Sequence, residues 1–152
     1  MATNTLGASL PVSPARTRSL AGLAIAGARI VLGLVFFAFG LNGFLDFIPR
    51  PTTPVPDGAM ALGMAFMHSG YLFQLIKGTE VLGGLLLLCN RFVPLALAIL
   101  APVVVNIFAF HVFLLPEGVV LASVVLVLEV GLAWAHRDAF RPMLAVRSAP
   151  RR

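Results

Sequence analysis

The sequence predicts an all-α integral membrane protein. The expected form is a four-helix bundle with N- and C-termini cytoplasmic and a short interfacial or re-entrant helix between spans 1 and 2. Three observations lead there. Hydrophobic residues make up 59% of the 152-residue chain and charged ones only 11%, with a mean hydropathy of +0.98, whereas a soluble domain carries about 25% charged residues. Apolar runs recur at lengths close to the ~20 residues that cross a bilayer. The basic residues collect on one side: Arg16, Arg18, the Arg91 turn, Arg137, Arg141, Arg147, Arg151 and Arg152 flank the runs, while the other side sets Arg50 against Asp57 and Glu117. Basic loops stay in the cytoplasm, so both termini are placed inside.

The net charge of +5 therefore reads as flanks attracted to anionic lipid, and no nucleic-acid partner is expected. Cys89 is the only cysteine, which excludes an internal disulfide and dithiol-exchange chemistry. Arginine outnumbers lysine ten to one, and Ala and Gly are abundant. That composition suits a GC-rich genome and places the chain in a bacterial cytoplasmic (inner) membrane. It is too small for more than one domain.

Residues 1–19, rich in Ser, Thr, Pro and Ala, read as a disordered cytoplasmic tail. The membrane domain runs over 20–146. Its first apolar run, Leu20–Ile48, is too long for the h-region of a signal peptide and is an uncleaved span near Leu23–Phe47. Gly33, Gly40 and Gly43 lie roughly on one side of it and would let another helix approach closely. Asn42 and Asp46 fall on a different face near the outer surface. Arg29 reads as snorkelling to the cytoplasmic headgroups or as a functional group.

Pro49–Pro56 holds four prolines in eight residues and cannot be helical. Asp57-Gly58 offers an N-cap for Ala59–His68, too short to span and expected to sit over the outer mouth like a lid. The second span, Tyr71–Leu88, closes at the Cys89-Asn90-Arg91 turn. The third, Phe92–Leu115, tolerates Pro94 in its first turn. Pro102, in its interior, leaves the Ala98 carbonyl without its usual donor. Pro116-Glu117-Gly118 turns the chain into the fourth span, Val119–Ala135. In Arg137–Val146, Phe140, Met143 and Leu144 form a stripe suited to the cytoplasmic leaflet, and 147–152 is a basic tail.

Chemistry is expected where ionisable groups enter the spans. Lys77 and Glu80 stand three residues apart, on one helix face, so they can pair. Charges at membrane depth are costly, about 2.5–3.5 kcal/mol each on insertion scales, and turn inward. Asn106 and His111 on the third span, Glu129 on the fourth and Asn42 on the first complete a polar set expected to form a central site open to the outside. Each has a plainer alternative. Lys77–Glu80 could be a purely structural ion pair, Asn106 could serve the Pro102 kink, and His111 could face headgroups. Glu129 is the hardest to explain so, because one lysine cannot neutralise two acids; it is expected within reach of Lys77 or Glu80. The Glu-x-x-His pairs of di-iron bundles are absent, and Lys77 would oppose a cation, so no metal is expected.

Three stretches carry a resemblance. A-R-I-V-L-G-L-V-F-F-A-F-G-L-N-G-F, K-G-T-E-V-L-G-G-L-L-L-L-C-N-R-F-V-P-L-A-L and A-P-V-V-V-N-I-F-A-F-H are similar to the DoxX family of small bacterial membrane proteins, over about Ala28–Met143. The resemblance implies a four-helix membrane fold and a link to oxidoreductase systems, including quinone-coupled thiosulfate oxidation and membrane complexes for oxidative stress. The matching positions are Arg29, Gly33, Gly40, Lys77, Glu80, Gly83, Arg91, Pro94, Pro102, Asn106 and His111; none carries a settled catalytic role.

The function expected is a membrane subunit of an oxidoreductase system. It would bind a quinone or similar small hydrophobic ligand between the helices, through Lys77, Glu80, Asn106, His111, Glu129 and Asn42. Its expected partners are the lipid bilayer, that ligand, an oxidoreductase subunit and a second copy of the chain. Two alternatives stand beside it: a transporter or permeation path for a small solute or protons, and a non-catalytic assembly partner.

Overall fold

A computed structural model describes residues 19–49 and 53–143. The expectations for residues 1–18, for Arg50, for Leu144 and for the basic tail lie outside those residues. The described residues form helices and connections with no strand: α1 (Leu20–Leu45), α2 (Asp57–His68), α3 (Leu72–Leu88), α4 (Val93–Phe113), a 3-10 turn (Pro116–Gly118), α5 (Val119–Ala135) and α6 (Arg137–Phe140).

Three helical stretches are long and apolar enough to cross a membrane: Leu20–Leu45, Val93–Phe113 and Pro116–Ala135. The 17-residue α3 reaches that length only together with α2, and the two meet at a bend of 92°. Three spans, or four if the bent pair counts as one, make this a multi-pass membrane protein. The outside of the helices agrees. Val120 is 73% exposed, Val127 70% and Trp134 71%, an arrangement that suits hydrocarbon rather than water.

The ends of the helices follow local chemistry. Ser19, assigned to the tail from sequence, caps α1: its hydroxyl accepts from the Gly22 N–H at 3.2 Å. Asp57 was expected to cap α2. It is instead the first helical residue, with Pro56 before it and no side-chain cap, and its carboxylate sits in the first turn, where the helix dipole favours it. Asn90 adopts a left-handed conformation (φ 54°), and the Arg91 and Asn90 N–H groups donate to Leu86 and Leu87 carbonyls. These bonds close α3 in a Schellman turn. Pro94 sits in the first turn of α4, where its missing N–H costs nothing.

Leu32 and Phe36 of α1, Leu87 of α3, Leu97, Leu100 and Val104 of α4, and Val125 and Leu132 of α5 meet in one apolar core. The closest packing is between α1 and α3, and glycines make it. A Cβ on Gly33 would stand 3.2 Å from the Gly84 carbonyl oxygen, and one on Gly40 would stand 2.8 Å from the Val81 amide nitrogen. Gly43 faces the Lys77 stem. Rising numbers on α1 meet falling numbers on α3, so the pair is antiparallel. The small-residue side of the first span is thus a helix contact, as expected, and its partner is α3.

Two expectations change. Arg29 does not run out to headgroups: its Nη1 donates to the carbonyl of Leu87 and, at 3.4 Å, to that of Leu88. The last carbonyls of a helix lack internal donors and carry the negative end of its dipole, so a guanidinium is held there. The stripe expected over Arg137–Val146 also divides. Helix α6 is four residues long, Phe140 tucks against the core, and Met143 is 69% exposed.

Candidate functional site

The site is built on the middle of α3. Glu80 lies at the helix midpoint, and Lys77 is one turn nearer its N-terminus. Lys77 Nζ donates to Glu80 Oε2 at 2.8 Å, as the i, i+3 spacing predicts. The two ends of the pair differ: the Lys77 side chain is 23% exposed and that of Glu80 4%. Gly40 and Gly43 hold the pair in place from α1, where any side chain would collide with Glu80 or Lys77.

Two cavities flank the pair and share Lys77, Glu80, Ile107 and His111 as a common wall. The larger, about 420 Å³, lies between α2, α3 and α4, and its apolar walls include Phe66, Phe73, Ile76 and Phe110. That volume falls within the ~300–1,000 Å³ typical of small-molecule sites. The smaller, about 230 Å³, lies between α1, α4 and α5, against Phe36, Phe39, Leu121 and Val125.

His111 closes one end. Its Nδ1 is 3.0 Å from the Leu115 carbonyl, which also accepts the Gly118 N–H at 3.2 Å. With Nδ1 engaged by that carbonyl, Nε2 is the ring nitrogen left for a ligand. The ring stands edge-on to Phe110, centroids 5.3 Å apart. Asn106 borders the larger cavity, is exposed, and its side chain makes no hydrogen bond to any described residue. Its amide therefore offers both a donor and an acceptor at the cavity rim.

Of the six residues expected to form the site, Lys77, Glu80, Asn106 and His111 come together. Asn42 does not. Its Oδ1 accepts from the Ile48 N–H at 2.7 Å, and its carbonyl from Asp46 N–H at 2.8 Å; both bonds fold the chain back at the end of α1. The side chain serves the turn. Glu129 also stands apart, lining neither cavity and pairing with neither Lys77 nor Glu80. It is 5% exposed and its Oε2 is buried without a hydrogen-bond partner among the described residues. The reason is position along the helix rather than its phase. Ala122, Val125, Glu129 and Leu132 form the buried face of α5, and only the first two reach the smaller cavity. Among the described residues, no group of three or more His, Cys, Asp or Glu is placed to hold a metal ion.

The sequence placed α2 over the outer mouth like a lid but did not name its residues as part of the site. Ala59, Gly63 and Phe66 line the larger cavity, while Met60, Met64 and Met67 point outward, 47–57% exposed. The signal was present as helical spacing, with the first three at i, i+4 and i+7. The arrangement as a whole is a cavity with apolar walls that brings together one ion pair, one imidazole and one amide. No known protein family, curated protein or solved structure matches the chain.

Proposed function

We propose that this chain is a four-helix bundle of the bacterial inner membrane, with both termini cytoplasmic, that binds a quinone or similar small hydrophobic ligand beside the Lys77–Glu80 pair. In this reading it is the membrane subunit of an oxidoreductase system, and its kinship to the DoxX family is part of the same proposal. The supporting observation is the larger cavity: about 420 Å³ of mostly apolar space with Lys77, Glu80, Asn106 and His111 on its wall. A ligand with a flat apolar body and one or two carbonyls would fill it. The Lys77 ammonium and the Asn106 amide would donate to a carbonyl, and Glu80, hydrogen-bonded to Lys77, is the group placed to exchange a proton. The orientation rests on Arg91, Arg137 and Arg141 standing at one end of the helices and Asp57 and Glu117 at the other.

The test is equilibrium binding of decylubiquinone to the purified chain in nanodiscs. Saturable binding is expected, weakened by about tenfold in Asn106→Leu, the loss of one hydrogen bond inside an apolar site. Wild-type protein that takes up no more decylubiquinone than empty nanodiscs would overturn the proposal.

A further inference from the structure

The larger cavity opens sideways. Asn106 and Pro102 are both exposed although both line it. Helix α4 has 21 residues, about the ~30 Å thickness of a bilayer's hydrocarbon core. Asn106 is seven residues from its end at Phe113 and Pro102 eleven, so they sit roughly 10 and 17 Å from that end, well inside the hydrocarbon. A rim at that depth faces lipid tails.

On the other side of the opening stands α2, which is loosely attached. It leaves α3 at 92°, and its main anchors are Ala59, its one buried residue, and the exposed Gly58, where a Cβ would meet Leu114. Further along, a Cβ on Gly63 would find no atom within 4 Å. A polar amide without a partner, facing hydrocarbon, costs free energy that a ligand head can recover. Asn106 is such a group, placed at the threshold.

We infer that the gap between α2 and α4 is a lateral portal through which lipid-soluble molecules with a hydrogen-bonding head reach the Lys77–Glu80 pair directly from the bilayer. The inference rests on the proposed binding function for its ligand but not for its geometry. Asn106 meets the head group at the rim, and Gly63 leaves the passage free. Water-soluble molecules are disfavoured at its α4 rim, which lies well inside the hydrocarbon.

The experiment has two arms. In the first, a fluorophore on Asn106→Cys, in a Cys89→Ser background, is quenched either by doxyl-labelled lipid or by aqueous iodide. Val127→Cys on the exposed face of α5 is the lipid reference and Tyr71→Cys, ahead of α3, the aqueous one. Quenching like that at Val127 is expected. Quenching like that at Tyr71, or by neither agent, would overturn the portal. In the second, decylubiquinone association is followed in Gly63→Trp, a change made into open space. Association is expected to slow by about tenfold while a protein of unchanged helicity remains; an unchanged rate would overturn the route. If wild type binds no decylubiquinone, the binding proposal fails while the quenching arm still reads the portal.

Discussion

Gly40 of α1 and Glu80 of α3 are packed backbone to side-chain base: a Cβ on Gly40 would stand 2.8 Å from the Glu80 Cβ. The Cβ of Glu80 is fixed by its helix and cannot swing aside, unlike the far end of a flexible chain. The glycine therefore sets how deeply Glu80 is buried, and with it the position of the ion pair.

Replacing that glycine should force the two helices apart. Gly40→Ala is expected to destabilise the protein by about 1–3 kcal/mol, the usual cost of overpacking. Gly27→Ala, where a Cβ meets nothing within 4 Å, should be neutral or slightly stabilising. Thermal unfolding in detergent compares them; equal midpoints would mean that α1 and α3 are not in close contact.

The ion pair should respond asymmetrically to dismantling. Lys77→Met leaves the Glu80 carboxylate buried without its one donor among the described residues, and removing one partner of a buried pair costs about 3–5 kcal/mol. Lys77→Met combined with Glu80→Leu should recover much of that loss. A double variant less stable than the single one would show that each group has another partner.

Glu129 should behave in the opposite sense. With Oε2 buried and unpartnered among the described residues, Glu129→Leu removes an unsatisfied acceptor and keeps an apolar body of similar size. Stability should hold or rise, by up to about 2 kcal/mol, and the melting temperature with it. A fall would reveal a partner for the carboxylate. If stability rises while function in membranes is lost, the buried acid is retained for chemistry.

Arg29 should matter for α3 rather than for lipid. Arg29→Ala removes the donor to the Leu87 and Leu88 carbonyls, and a hydrogen bond from a charged donor is worth about 1.5–3 kcal/mol. Amide exchange in the last turn of α3 should quicken, with the first turn unaffected. Uniform quickening along α3 would mean that Arg29 stabilises the whole protein and is not a cap.

Much of this was legible in the chain itself. Residue composition forces a membrane solvent, the solvent leaves only helices or a closed barrel because no backbone group may go unpaired in it, and apolar runs near twenty residues select helices; Gly, Pro and Asn mark several of the helix ends. The Lys77–Glu80 bond follows from i, i+3 spacing alone, and a glycine side on α1 implies a close helix partner. Local geometry determines all of these. What lay beyond the sequence was everything that depends on rotation and depth between helices. Asn42 and Glu129 looked like members of the site because they are polar and occur at suitable depth. Only the packed structure shows Asn42 turned to its own loop and Glu129 a turn past the cavity, among apolar neighbours. Arg29 likewise found carbonyls 58 and 59 residues away. Periodicity tells which residues share a face of one helix, but which face meets which partner is decided by packing, and that decision made the site.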